Sequence, residues 1–129
     1  MDLSTACEQI KEGISRKHLV TVFGDCRVDY VGRATSTLKH GKRFILIKGD
    51  DSISIHQNRL VRPTNYMVKT KISIENTGEI ATLIAKKLKP RETLTIEFLD
   101  IHDVKSYPME ISDDLRLSGS EKDLNDLLM

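Results

Sequence analysis

The stretch Ser52-Ile53-Ser54-Ile55-His56-Gln57 alternates polar residues with isoleucine, and that alternation decides the fold class. Side chains on a strand point to opposite faces in turn. Ile53 and Ile55 therefore share an apolar layer, while Ser54 and His56 face away from it. Gly49-Asp50-Asp51 supplies the turn that feeds this strand. Upstream, Phe44 to Ile47 is a continuous apolar run suited to a strand buried on both faces. Downstream, Val68, Thr70, Ile72 and Ile74 share a face opposite Lys69, Lys71 and Ser73. Asn76-Thr77-Gly78 turns the chain into Ile80 to Ala85, whose hairpin neighbours favour a strand. Pro90-Arg91-Glu92 turns it again, and Leu94, Ile96 and Phe98 then alternate with Thr95 and Glu97.

Leu19 to Phe23 and Arg27 to Ala34 predict two more strands, with Gly24-Asp25 as a bend or bulge between them. The first residues follow a different period. Leu3, Cys7, Ile10 and Ile14 fall at i, i+4, i+7 and i+11, the stripe of an amphipathic helix. Thr5-x-x-Glu8 fits a capping box for it, and Gly13 lies near its expected end. At the other terminus Ser118-x-x-Glu121 is a second capping signal, with Leu124, Leu127 and Leu128 as an apolar edge. So short a helix needs a surface to dock on. The pattern predicts a mainly β protein: a small sandwich or partly closed barrel of antiparallel strands with a short N-terminal helix and a short C-terminal helix. The expected divisions are a helix in residues 1–17, a β domain over 18–112, and a junction with a short helix over 113–129.

A chain of 129 residues is a single-domain length that can bury a core without disulfides or metal. Its 39% hydrophobic and 30% charged residues are the balance of an ordinary globular domain. No apolar run approaches the roughly 20 residues of a membrane helix, and Met1-Asp2-Leu3-Ser4 does not begin a signal peptide. The two cysteines, Cys7 and Cys26, read as reduced thiols, so a cytoplasmic location is expected. The net charge of +1 hides an asymmetry. Arg27 to Lys71 holds ten Lys or Arg against Asp29, Asp50 and Asp51, whereas Glu92 to Met129 holds ten acids against Lys105, Arg116 and Lys122. A basic stripe of the first kind is the electrostatic footprint of nucleic-acid binding, unless those residues merely solvate exposed strand faces.

Catalytic signals are sparse. A restriction-type nuclease needs an acid and a Glu-x-Lys or Asp-x-Lys pair around a divalent metal. Asp103-Val104-Lys105 has that spacing, with Glu92, Glu97 or Asp100 as the partner carboxylate, but the tripeptide is common and lies in the acidic half, so a solvated strand end is the preferred reading. His18, His40, His56 and His102 are scattered, and neither cysteine has a partner at C-x-x-C spacing, so no catalytic or metal-ligating residue is expected. Binding groups are more plentiful. Arg33 and Arg62 offer planar forks for phosphate, Tyr66 a π-face for a base, and Asn65 both a donor and an acceptor for a base edge.

Tyr30-Val31-Gly32-Arg33, the His56-Gln57 pair closing a strand, and Arg59-Leu60-Val61-Arg62-Pro63-Thr64-Asn65-Tyr66 occur in the order Tyr-x-Gly-Arg, His-Gln, basic-Pro-x-Asn-aromatic. In that order the chain resembles the N-terminal domain of the archaeal NucS/EndoMS endonucleases, DNA-repair enzymes that cut branched, single-stranded or mismatched DNA. The likeness runs from about Asp25 to Asp123, and Leu115 to Glu121 resembles that family's junction into its nuclease domain. It implies a half-open β-barrel that pairs two subunits and binds DNA through Arg33, Arg62 or Arg59, Asn65 and Tyr66, with His56, Lys69 and Lys71 alongside. The family's aromatic is usually Trp, so Tyr66 offers a smaller stacking area. Cleavage, with its magnesium or manganese, is expected in a nuclease domain absent from this chain or encoded separately, and a sliding clamp is a possible further partner. The alternatives are a homodimeric interaction module that no longer binds DNA, and a compact metal nuclease built on Asp103 and Lys105.

Overall fold

The computed structural model describes residues 1–111. Helix α1 (Leu3–Ser15) is followed by seven strands: β1 (Leu19–Val31), β2 (Thr35–Ile47), β3 (Ile53–His56), β4 (Asn65–Met67), β5 (Lys71–Asn76), β6 (Ala81–Leu88) and β7 (Arg91–Tyr107). All strand pairings are antiparallel, and the sheet order is β4-β3-β2-β1-β7-β6-β5. The expected C-terminal helix and the Leu115–Glu121 junction lie outside the described residues.

The expected stripe of α1 is the one it buries, with Cys7 and Ile10 in the core and Leu3 and Ile14 packed against it. Its cap differs from expectation. Asp2, not Thr5, is the N-cap; its carboxylate accepts from Ser4 N at 2.9 Å and from Thr5 Oγ1 at 2.6 Å. An acid one residue before the helix satisfies an orphan N–H and faces the positive end of the dipole.

Three strand expectations change. Leu19–Val31 is one bent strand, and Arg33 and Ala34 belong to the bend after it. The suspected bulge is present: pairing with β7 shifts register between Phe23 and Gly24 and again between Asp25 and Cys26. The apolar run Phe44 to Ile47 is covered on one face only; Ile45 and Ile47 are buried, while Phe44 is 42% exposed. The run expected to carry Val68, Thr70, Ile72 and Ile74 on one face is broken, because β4 ends at Met67 and β5 begins at Lys71. Residues 58–64 are the loop between β3 and β4.

The break at residues 68–70 shapes the molecule. β4 and β5 are the two edges of the sheet. Laid flat, seven strands at 4.8 Å spacing would hold those edges about 29 Å apart, yet four Cα steps from Met67 to Lys71 reach at most about 14 Å. The sheet must curl, and it forms the half-open barrel. Its interior holds Val20, Val22, Ile45, Ile55, Leu83, Leu94, Ile96, Phe98 and Ile101, all fully buried, and α1 packs against β1, β5 and β7.

The crossover is pinned by Asp51. Its carbonyl accepts from Thr70 N at 3.0 Å and Thr70 Oγ1 at 2.9 Å, and its carboxylate accepts from Lys17 Nζ at 2.9 Å. Lys17, Asp51 and Lys69 all have positive φ, at 60°, 66° and 55°, so three backbone sites that disfavour side chains meet at one hub. Thr70→Val removes the buried hydroxyl donor and should cost about 1 kcal/mol. Urea unfolding should show it as a lower midpoint with an unchanged slope. No helix among the described residues is long and apolar enough to cross a membrane.

Candidate nucleic-acid interface

Strand alternation divides the expected binding residues between two faces. Ser54 pairs with Leu46 on one side and Tyr66 on the other, and Phe44 pairs with both Phe23 and His56. These residues occupy the outer face of the half-barrel. Tyr66 stands on it 68% exposed, and His56 Nε2 hydrogen-bonds Ser54 Oγ at 2.9 Å. Leu46, Lys48, Ser54, His56, Pro63 and Tyr66 line a depression of about 310 Å³. An aromatic wall, an imidazole, a hydroxyl and an ammonium thus surround one apolar floor, which suits a flat heterocycle bearing phosphate.

Asn65 does not share that depression. It pairs with Ile55, while Tyr66 pairs with Ser54, so the two neighbours point to opposite faces of β4. Arg59 and Arg62 are exposed on the β3–β4 loop, which is tied down by Thr64 N donating to Ile55 O at 2.8 Å and Gln57 Nε2 donating to Thr64 Oγ1 at 3.2 Å. Between the arginines Leu60 has φ 67° and Val61 is fully exposed, so this loop presents an apolar tip flanked by cations. Arg33 is exposed at the β1–β2 bend. Leu46, in register with Ser54 and through it Tyr66, lies eleven residues along β2 from Thr35 beside that bend, about 36 Å of strand. Arg33 and Tyr66 therefore cannot touch one base within one chain. Lys69 sits in the crossover and Lys71 at the start of edge strand β5, both exposed.

The basic stripe is not uniform. Arg43 is only 9% exposed; Nη1 donates to the carbonyl oxygen of Cys26, and Nε has no hydrogen-bond partner. Arg27 bonds Asp29 at 3.0 Å, and that guanidinium, with the Thr37 hydroxyl, holds the Asp29 carboxyl below its usual range. The available cations are thus Arg33, Lys39 and Lys42 on the β1–β2 hairpin, Lys48 beside the depression, Arg59 and Arg62 on the loop, and Lys69 and Lys71 at the edge. Acidic β7 runs through the middle of the sheet, with Glu97, Asp100 and Asp103 around Phe23 and Arg27. Both thiols are free and buried, and burial pushes both pKa values up, away from nucleophilic reactivity.

Among the described residues the acids read as metal ligands do not gather around Asp103; the one group of possible ligands is Asp25, Asp100 and His102. Asp103 Oδ2 faces Lys105 Nζ at 3.9 Å; Glu92 accepts from Tyr30 Oη at 2.6 Å and faces Lys87 at 3.9 Å. Asp100 faces His102 at 3.6 Å. His102 also meets Asp25 at 3.3 Å, a cluster invisible in the sequence because two bulges in β7 bring it together. Phe23 and Phe44, 37% and 42% exposed and paired on the outer face, were likewise missed. Apolar type alone assigned Phe44 to the core, and only register shows that it points outward.

A family model described as the endonuclease NucS N-terminal PH-like domain matches residues 16–114. The chain is similar to the Endonuclease NucS of Pyrococcus horikoshii, 36% identical over 126 residues that cover 94% of this chain and 48% of that protein. It is also similar to the Endonuclease NucS of the bacterium Rhodococcus erythropolis, 37% identical over 111 residues covering 83% and 49%, so the relatives are not confined to archaea. Among solved structures it resembles EndoMS in a complex with double-stranded DNA, with a TM-score of 0.78 and 32% identity over 92% of this chain and 50% of that one. The chain spans about half the length of the curated relatives it matches.

Proposed function

We propose that this chain, which belongs to the family of the endonuclease NucS N-terminal PH-like domain, binds DNA and receives an unpaired or mispaired base on the outer face of β2–β4. The exposed ring of Tyr66 over the depression beside His56 is the observation that carries this reading. Base stacking on such a ring is tolerant of sequence. Arg59 and Arg62 hold phosphates at the loop end, Lys48 does so at the mouth, Lys69 does so from the crossover and Lys71 from the β5 edge. Arg33, on the distant hairpin tip, grips a separate stretch of the same duplex. Asn65, turned to the other face, acts by fixing β4 rather than by reading the same base. A relative with half its length outside this likeness is held on double-stranded DNA, which supports the choice of partner.

The domain pairs with a second copy of itself through Phe23 and Phe44, two half-exposed rings paired on the outer face. Scission of mismatched or branched DNA belongs to a nuclease domain beyond these residues, where magnesium or manganese would be held. Recruitment by a sliding clamp belongs to the whole repair enzyme.

Fluorescence-anisotropy titrations across a salt series test phosphate contact. Arg62→Ala and Arg33→Ala should each flatten the slope of log K against log salt by about 0.7–0.9. Unchanged slopes in both variants would remove these arginines from the interface. The acidic outer face of β7 favours a second reading, a pairing module indifferent to DNA. Sedimentation alongside the titration separates the two, since such a module dimerises without binding DNA at low salt.

A further inference from the structure

Lys71 and Lys86 lie directly opposite each other on β5 and β6. Like charges in that position repel and destabilise a sheet. Lysine on an edge strand is a known guard against edge-to-edge aggregation, and that would account for Lys71 on β5. It does not account for Lys86, because β6 is covered by β5 on one side and β7 on the other. Lys69 joins the pair from the crossover, its backbone fixed at φ 55° by the double hydrogen bond of Thr70 to Asp51. Among the described residues no carboxylate lies within ion-pair distance of Lys69, Lys71 or Lys86. The three border a groove of about 620 Å³ with Ile72 and Ile84 in its wall; Glu75, the acid lining it, lies four residues beyond Lys71.

We infer that Lys69, Lys71 and Lys86 form a phosphodiester-binding track on the β5–β6 face that takes the backbone of a single strand leaving the Tyr66 depression. Lys86 is the residue this adds. Tyr66 and Lys71 are five residues apart in sequence, a reach of at most about 18 Å, so one strand can engage both. Ammonium groups grip phosphate as point charges and carry no base information, so the track lengthens the footprint without adding sequence preference. Its continuity with the depression rests on the DNA reading above; its charge chemistry does not.

Two fluorescent single strands of equal length, one bearing bases and one abasic throughout, test the track apart from the base site. Lys71→Gln/Lys86→Gln should reduce the salt slope by about 1.4 for both strands, two contacts of about 0.7 each. Lys71→Arg/Lys86→Arg should keep the slope, and the Gln pair should melt at or above the wild-type temperature because the repulsion is relieved. Tyr66→Ala should weaken only the strand with bases. An unchanged slope for the abasic strand in the folded Gln variant overturns the track. Equal binding of poly-glutamate with the same slope also overturns it, in favour of an acidic peptide. If the Gln pair lowers both slopes while Tyr66→Ala changes nothing, the track stands and the base site fails.

Discussion

Alanine at Gly24 is expected to cost the fold about 3 kcal/mol, the upper end for overpacking a well-filled site. A Cβ built there would lie 2.4 Å from the backbone oxygen of Asp100 and 3.2 Å from both Ile101 Cα and Phe98 Cδ1. The first two are backbone atoms of β7, so no side-chain rotation relieves the clash. Gly24 pairs with Ile101 between the two register shifts, where β7 folds inward to bury Phe98 and Ile101 and outward to present His102. The approach of β7 to β1 at this point depends on this one missing side chain. Gly41→Ala is the control: its Cβ would meet the Arg43 guanidinium at 3.5 Å, an ordinary contact, and stability should move by no more than about 0.5 kcal/mol. Thermal unfolding of both variants checks the contrast, and equal melting temperatures would show that β7 can retreat from β1 after all.

The second large effect concerns binding. Tyr66→Ala should weaken the complex with mismatched or single-stranded DNA by about 1–3 kcal/mol, the value of one base stacked on an aromatic ring. That is roughly five- to 150-fold in Kd. The salt slope should hold, because a phenol neutralises no phosphate. Tyr66→Trp should shift affinity the opposite way, since a larger ring covers more of the base. The ring can be changed without harm to the fold because it is largely exposed and β4 is held through Met67 and Ile53 on the other face.

Much of this was legible from residue spacing. Leu94, Ile96 and Phe98 alternate and all face the interior; Ile53 and Ile55 do the same, with His56 turned outward as expected. Asn76-Thr77-Gly78 closes a hairpin, with Gly78 at φ 99° where a side chain would be strained. What spacing does not encode is which strands become neighbours. Period two set Val68 to Ile74 in one line, but tertiary closure bends the chain at Lys69 and sends its halves to opposite edges. Phe44 looked like core because composition cannot distinguish a strand covered on two faces from one covered on one. Asn65 and Tyr66 looked like a single pocket because they are adjacent, although adjacency on a strand means opposite faces. The Asp25–Asp100–His102 cluster depends on extra residues in β7 that no local pattern announces.

The base site itself is tested most directly by a double-mutant cycle that pairs Tyr66→Ala with removal of the unpaired base from the DNA, read by anisotropy at fixed salt. Tyr66 and the base should be coupled by about 1–3 kcal/mol, so that abasic DNA binds wild type and variant alike. A coupling of zero, with base and abasic DNA weakened equally by Tyr66→Ala, would mean that no base rests on this ring.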